Sequence, residues 1–391
     1  MKPLAIIGSG MAGYTLAREF RKLDTTTPLL ILTADNGGFY AKPMLSNAFA
    51  QKKTAAQLQN QNAEQMAQQL NATIMQNVHV ERIDTDNKQV HTSKGVFDYA
   101  KLVLAVGAQA IRLPLAGNAA DQVLSVNNLA DYAILREKLD SIGQVARVTL
   151  LGAGLIGSEF ADDLSGAGHQ VTVVDPNASP MAALVPQTIC KVLQQALEAK
   201  GVRFEMGTTA LEVNHSEAAP GELQVKLANG NSHPADLVFS AVGLRPDLRL
   251  ALASGIATER GILVDASGQT NAEGVYALGD CAQYTNTVEG TRPVLPFIAP
   301  IMSAARAIAR SLTGELTQID LKAMPVIVKT PSCSIALIAP APHISATGRW
   351  EHEAIGGVNV SRFFDAQNQM KGFALAPQEA KLRNSLLAEL S

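Results

Sequence analysis

The 391-residue chain holds three cysteines, Cys190, Cys281 and Cys333, too far apart to form a Cys-x-x-Cys or longer paired spacing. Their scarcity removes the usual sequence marks of a redox disulfide and of a zinc site, and no metal is expected. No apolar run reaches the length of a membrane span. An apolar stretch beginning at Leu4 leaves no room for a signal peptide ahead of the first strand. An excess of either charge is also lacking. The 35 acidic and 32 basic residues leave a net charge of −3, so nothing global points to nucleic acid or an anionic membrane, although a local basic patch is compatible with this sum. The plain expectation is a cytoplasmic enzyme.

Glycine, in contrast, is placed with regularity. Two stretches share one grammar. "LAIIGSGMAGYTLAREF" reads as strand, glycine turn and helix, with Leu16, Phe20 and Leu23 giving the helix an apolar face. "VTLLGAGLIGSEFADDL" repeats it. Each unit has a second strand, "LLILT" and "QVTVVD", and a distant closing strand, "YAKLVLAVGA" and "PADLVFSAVGL". The spacing from Gly8 to Gly107 nearly equals that from Gly152 to Gly243, an internal repeat of domain size. Right-handed crossovers make each sheet parallel. The fold class is therefore α/β, with two Rossmann-like dinucleotide-binding domains and a small α+β C-terminal domain. The expected boundaries are 1–112 and 245–320 for the first dinucleotide domain, 113–244 for the second and 321–391 for the C-terminal domain. Residues 51–74 read as a helix packed on one side, and 296–312 as an alanine-rich helix.

A glycine turn between strand and helix answers a phosphate problem. The first glycine permits the turn, the second admits a pyrophosphate to the backbone, and the third lets helix and strand pack closely. The helix N-terminus then offers N–H groups and a positive dipole end to the anion. One triplet alone is a weak signal; two, each after a strand and before a helix, are strong. An acid at the end of the second strand accepts from ribose hydroxyls and repels a 2′-phosphate. In the second copy this is Asp175, which predicts NADH over NADPH, against the competing reading of an ordinary turn aspartate before Pro176. In the first copy Thr33, the Ala34 backbone and Asp35 all stand at the comparable place, and the sequence leaves the choice among them open.

With "GSGMAG", "GAGLIG" and "GVYALGDCA" together, the chain resembles the two-dinucleotide flavoproteins of glutathione-reductase type. "YAKPMLS", "DLVFSAVGLRP" and "MPVIVKTP" narrow the resemblance to the family of bacterial rubredoxin–NAD(+) reductases, over essentially the whole chain. The resemblance implies that the first clamp holds FAD, through Gly8, Ser9, Gly10, Met11, Ala12 and Gly13, and the second NADH, through Gly152, Gly154, Leu155, Ile156 and Gly157, with Asp175, Val242 and Gly243 behind it. It implies FAD contacts from Ala105, Gly107, Gly279 and Phe297, and a ribityl contact from Asp280, otherwise a turn residue. Val80 lends backbone to the adenine side or is plain strand core.

Three residues are expected to act on the chemistry. Lys42, before Pro43, brings a cation to the flavin, where it stabilises the anionic reduced form; the alternative is a solvated surface lysine. Lys329, a lone cation in "PVIVKTP", needs a partner if buried, and the family places it near the flavin. Glu159 points to the nicotinamide–flavin junction in the family, with a helix-terminal acid complementing the dipole as the competing reading. Cys281 reads as a small core residue.

Without a cysteine pair near "GGFYAKPMLSNAF", electrons must leave directly from the flavin. The resemblance names rubredoxin, a small acidic iron carrier, as the acceptor, supplying an alkane hydroxylase. Lys42, Arg310, Lys322 and Lys329 are the candidate docking cations. A reductase of a [2Fe–2S] ferredoxin in an oxygenase chain and an NADH-responsive flavoprotein sensor are the alternatives.

Overall fold

The computed structural model describes residues 1–217, 219–286 and 290–390. The chain forms two compact units, and each is interleaved in sequence. The first comprises Met1–Lys42, Ala56–Gln109 and Leu244–Lys322; the second comprises Pro43–Ala55, Ala110–Gly243 and Ala323–Ser391.

The first unit is built on a five-stranded parallel sheet in the order Val275–Ala277, Lys101–Leu104, Leu4–Ile7, Leu29–Leu32, Ala72–Met75. Leu4–Ile7 and Leu29–Leu32 are buried throughout, which is why they read as unbroken apolar runs rather than as alternation. Helix Met11–Leu23 buries Leu16, Ala17 and Phe20. Helix Ile298–Leu312 packs against it and buries Ala304, Ala305, Ala307 and Ala309, side chains small enough for close helix contact. An antiparallel sheet of Val80–Asp84, Gln89–Thr92 and Gly95–Asp98 completes the unit.

Residues 51–74 do not form the single helix expected. Ala55–Leu58 is one short helix, Gln59–Gln61 pairs with Phe39–Tyr40, and a second helix runs only over Ala63–Leu70. Asn62 starts that helix with a reciprocal capping box to Gln65, and Asn71 ends it in the left-handed conformation. The following Ala72–Met75 becomes the edge strand of the parallel sheet.

The second unit carries a four-stranded parallel sheet in the order Arg203–Met206, Gln170–Asp175, Arg147–Leu151, Leu237–Ser240. An antiparallel sheet of Ala210–His215, Leu223–Leu227 and Ser232–Ala235 shares a core of Leu151, Val174, Val213, Val225 and Val238. The C-terminal part is a five-stranded antiparallel sheet, Val326–Val328, Ile335–Ile338, Met370–Ala376, Val358–Phe364, Arg349–Ile355, followed by helix Ala380–Glu389. It packs around its own core of Ala336, Val360, Phe373, Leu375 and Leu386. The α/β class with two Rossmann-like sheets and an α+β C-terminal part is thus present. Among the described residues no helix is long and apolar enough to cross a membrane, and no group of acids, histidines and cysteines is arranged to hold a metal ion.

Candidate active site

In the first unit, strand Leu4–Ile7 ends at Gly8, whose φ of +112° lies where side chains are strained. A Cβ on Gly8 would strike the Ala105 carbonyl, and one on Gly13 would strike the Gly8 carbonyl. Both glycines are therefore required by close packing. Gly10 differs: a Cβ there would meet nothing within 4 Å. Gly10 is also the N-cap of helix Met11–Leu23, and no side chain caps that helix. Open space beside unclaimed N–H groups is the environment a pyrophosphate needs, and it fits the FAD phosphates. A Cβ on Gly279 would lie 2.8 Å from the Ala12 Cβ, so Gly279 and Asp280 sit against the start of the same helix. Lys42 Nζ lies 3.6 Å from Asp280 Oδ2.

Ser9 and Thr33 are buried and hydrogen bonded to each other at 2.8 Å. Both hydroxyl oxygens also lie close to Asp35 Oδ1, at 2.9 and 2.6 Å, so one donates to it while the other is shared within the trio, and Gly37 N donates to the same oxygen at 2.9 Å. All these bonds use Oδ1, while Asp35 itself is exposed, as is Ala34. Ala105 follows strand Lys101–Leu104 and donates to the Ile7 carbonyl at 2.8 Å; Gly107, at φ +72°, accepts from Asp247 N at 3.1 Å. Met11 is half-buried at the start of its helix. Phe297 stands half-exposed just before helix Ile298–Leu312. Val80 begins its strand, pairs with Thr92 and packs against the core of the unit.

The second unit repeats the clamp. Gly152 has φ +102°, and a Cβ on it would lie 2.8 Å from the Ala241 carbonyl oxygen; one on Gly157 would strike the Gly152 carbonyl. Gly154 again faces open space and caps helix Leu155–Gly166 without a side-chain bond. Leu155 is half-buried and Ile156 exposed on that first turn. Asp175 is buried at the end of its strand. Its Oδ2 accepts from Ala153 N at 2.7 Å, inside the glycine turn, and its Oδ1 accepts from Asn177 N and Nδ2, each at 2.8 Å. Val242 and Gly243 follow the closing strand, and Gly243 accepts from Ile111 N at 3.0 Å.

Glu159 is buried in helix Leu155–Gly166, beyond the first turn. Its carboxylate accepts from Ser46 Oγ and from Lys329 N, the latter at 2.8 Å. Lys329, one residue past strand Val326–Val328, donates from Nζ to the Pro43 carbonyl at 2.9 Å. Burial pulls the Lys329 ammonium below the ordinary lysine range, and the Glu159 charge offsets this only in part. Glu159 therefore joins the Pro43 turn to the Lys329 strand. The same helix presents two further buried acids. Asp163 accepts from Ala48 N and Phe49 N at 2.8 Å and Ala50 N at 2.9 Å; Asp162 accepts from Ser332 N at 2.8 Å and from Ser332 Oγ. Burial raises the Asp163 carboxyl above its usual range, opposed by its three N–H bonds. Asn47 Nδ2, next to Ser46, is a buried donor with no partner among the described residues, as expected where a ligand completes the surroundings.

Sequence reasoning missed Ser46, Asn47, Asp162, Asp163 and Asn177. A signal existed for the acids. Glu159, Asp162 and Asp163 share one helical face and alternate with Phe160, Ala161 and Leu164, so charges stand where an apolar helix would bury its side chains.

A family model described as pyridine nucleotide-disulphide oxidoreductase matches residues 2–309. The chain belongs to this family. A second model, a rubredoxin binding C-terminal domain, matches residues 318–390. Rubredoxin-NAD(+) reductase from Alcanivorax borkumensis is 42% identical to the chain over 100% of its length and 99% of the relative's. A nitric oxide reductase FlRd-NAD(+) reductase from Aeromonas salmonicida is 40% identical, over 86% of the chain and 83% of the relative. The solved ferredoxin reductase for the CYP199A2 system of Rhodopseudomonas palustris superimposes with a TM-score of 0.89 over 100% of the chain and 96% of that structure, at 23% identity, a likeness of fold. As an oxidoreductase of this family the chain binds FAD and uses NADH.

For a pyridine nucleotide-disulphide oxidoreductase, the state of the cysteines is informative. All three are free and buried. Cys281 packs in the core of the first unit, its Sγ toward the Leu278 and Leu104 carbonyls, and burial pushes its thiol up to about 12. It is a core residue, as expected. The exposed docking candidates are engaged locally: Arg310 pairs with Glu315 at 3.2 Å and Lys322 with Asp320 at 3.5 Å.

Proposed function

We propose that the chain passes electrons from NADH through FAD to rubredoxin, in the cytoplasm, and that rubredoxin in turn supplies an alkane hydroxylase. The observation that carries this reading is the rubredoxin-binding match over 318–390, joined to a clamp pair without a redox cysteine pair. Bound in the first clamp, FAD would supply a centre able to accept two electrons as a hydride and to release them one at a time.

The chain's own residues bind and orient. The Gly10 and Gly154 helix starts hold the two pyrophosphates. Asp35, using the oxygen that Ser9 and Thr33 leave open, takes the FAD adenosine ribose. Asp280 takes the ribityl chain, with Lys42 as a cation beside it. Asp175, with one lone-pair site left after three protein donors, takes the NADH ribose, and its charge rejects a 2′-phosphate. Glu159 and Lys329, joined through the Lys329 amide, act in the NADH-driven reduction.

Anaerobic NADH assays with the purified yellow protein, comparing rubredoxin and [2Fe–2S] ferredoxin side by side, test the reading. Catalytic reduction of rubredoxin is expected. A much faster reduction of ferredoxin, or flavin bleaching without onward transfer, overturns it. The relative named for nitric oxide reductase supports a second destination for the electrons, which a hydroxylase-coupled assay separates from the first.

A further inference from the structure

Helix Leu155–Gly166 starts the NADH clamp at its N-terminus and, farther along, holds two other segments of the same unit. Glu159, Asp162 and Asp163 are each almost fully buried. Asp163 Oδ2 accepts from Ala48 N and Phe49 N and Oδ1 from Ala50 N, so three consecutive amides converge on one carboxylate. Asp162 holds Ser332 by backbone and hydroxyl, three residues beyond Lys329. Glu159 stands between these anchors, bonded to Ser46 and to Lys329 N. The approach is close: a Cβ on Gly166 would lie 3.3 Å from the Ala50 Cβ.

Burying three carboxylates on one helical face opposes folding unless each is fully bonded. Apolar contacts already hold the Pro43–Ala55 segment. Phe49 stacks on Tyr132 at 4.9 Å, and Tyr132 Oη donates to the Lys53 carbonyl at 2.7 Å. What the acids add is direction, since a hydrogen bond fixes an atom where an apolar contact fixes only a surface.

We propose that Asp163 and Asp162 are positioning residues for NADH-driven flavin reduction: from the NADH-clamp helix they set the places of the Ser46 turn and of Lys329 within the second unit, and the limiting rate depends on those places. This rests on the reading that Glu159 and Lys329 act in flavin reduction. The two acids touch neither cofactor. They act through the segments they hold, so their loss changes the limiting rate of reduction and leaves NADH affinity in place.

The test uses FAD-loaded Asp163→Asn and Asp162→Asn, followed by anaerobic stopped flow with NADH, hydrogen exchange of the 43–55 amides, and thermal melting. In Asp163→Asn the 48–50 amides exchange faster. The limiting rate of flavin bleaching falls about tenfold to a hundredfold while the NADH dissociation constant stays within about twofold. Asp162→Asn lowers the rate in the same direction. Faster exchange and a lower melting temperature with an unchanged bleaching rate mean a purely structural role and overturn the proposal. If Asp163→Asn does not fold, Asp162→Asn decides: a slower limiting rate with unchanged NADH affinity supports the proposal and a wild-type rate overturns it. Failure of the wild-type protein to bleach with NADH at all would instead remove the underlying functional reading.

Discussion

Lys42 Nζ and Asp280 Oδ2 lie 3.6 Å apart, joining the Lys-Pro turn to the late Gly-Asp pair within the first unit. The side chains keep 34% and 17% of their exposure, so the pair is partly screened and contributes at most about 1 kcal/mol to stability. Its value lies in placing a cation beside the residue assigned to the ribityl chain. Lys42→Met is expected to leave the melting temperature nearly unchanged and to slow NADH-driven flavin bleaching at least about tenfold, because a preorganised charge facing developing negative charge is lost. Stopped-flow reduction of the FAD-loaded variant checks this; an unchanged rate returns Lys42 to an ordinary half-buried surface lysine.

The glycines of the second clamp should respond to substitution according to the space around them. Gly154→Val places its side chain in the open cradle, so the protein folds, keeps FAD and loses NADH oxidation. Gly157→Val drives a side chain into the Gly152 carbonyl and should fail to fold. Flavin absorbance after gel filtration, with NADH turnover, distinguishes the two. An active Gly154→Val protein would remove the second pyrophosphate from this turn.

Local grammar explains what the sequence made readable. A strand, a glycine turn and a helix occupy twenty contiguous residues of the chain in each copy, so Gly8–Gly13 and Gly152–Gly157 announce their structure without any distant partner. The expected strand at 101–104, the helix near 296–312 and the closing strand at 237–240 follow from the same short-range patterning. What stayed hidden depends on contacts between distant segments. That Val275–Ala277 flanks Lys101–Leu104 is a pairing no local pattern encodes. The bonds of Ser46 to Glu159 and of Asp163 to Ala48 join residues more than a hundred positions apart. Glu159 shows the consequence: the sequence left it between helix punctuation and site contact, whereas its position past the first turn and its bonds to Ser46 and Lys329 make it a tether between segments of the second unit. The misread helix at 51–74 has a local cause, because Asn62 and Asn71 act there as boundaries and not as surface polar residues.

Asp175 is expected to couple cofactor choice to the shape of the clamp. Its Oδ2 holds Ala153 N, inside the glycine turn, so Asp175→Ala both removes the charge that opposes a 2′-phosphate and frees a buried N–H, a loss of about 1–3 kcal/mol. NADH kcat/KM is expected to fall about tenfold or more, and NADPH kcat/KM to fall less, narrowing the preference. Asp175→Asn, which keeps a side-chain acceptor for Ala153 N, should retain more NADH activity while losing discrimination. Steady-state ratios for both nucleotides check this. Unchanged selectivity in both variants would assign the carboxylate to turn geometry alone.

Lys329 is expected to give the reaction an alkaline limit. Burial lowers its pKa below the ordinary lysine range, with Glu159 opposing the shift, so its positive charge is lost at lower pH than in an unfolded chain. The sign for stability follows. Between the folded and unfolded values the unfolded state binds more protons, so this group's contribution to stability rises with pH through that window. Function moves the other way. Below the folded pKa the side chain donates to the Pro43 carbonyl as a cation; above it that charge is lost. The limiting rate of flavin reduction should therefore decline on an alkaline limb lying below the usual lysine value. Lys329→Met should start from a lower rate and show no such limb, while Lys329→Arg should move the limb upward, since a guanidinium stays protonated throughout. A pH profile of stopped-flow bleaching for the three proteins decides the matter. An identical limb in Lys329→Met would assign it to another group and leave Lys329 a tether for the Pro43 turn.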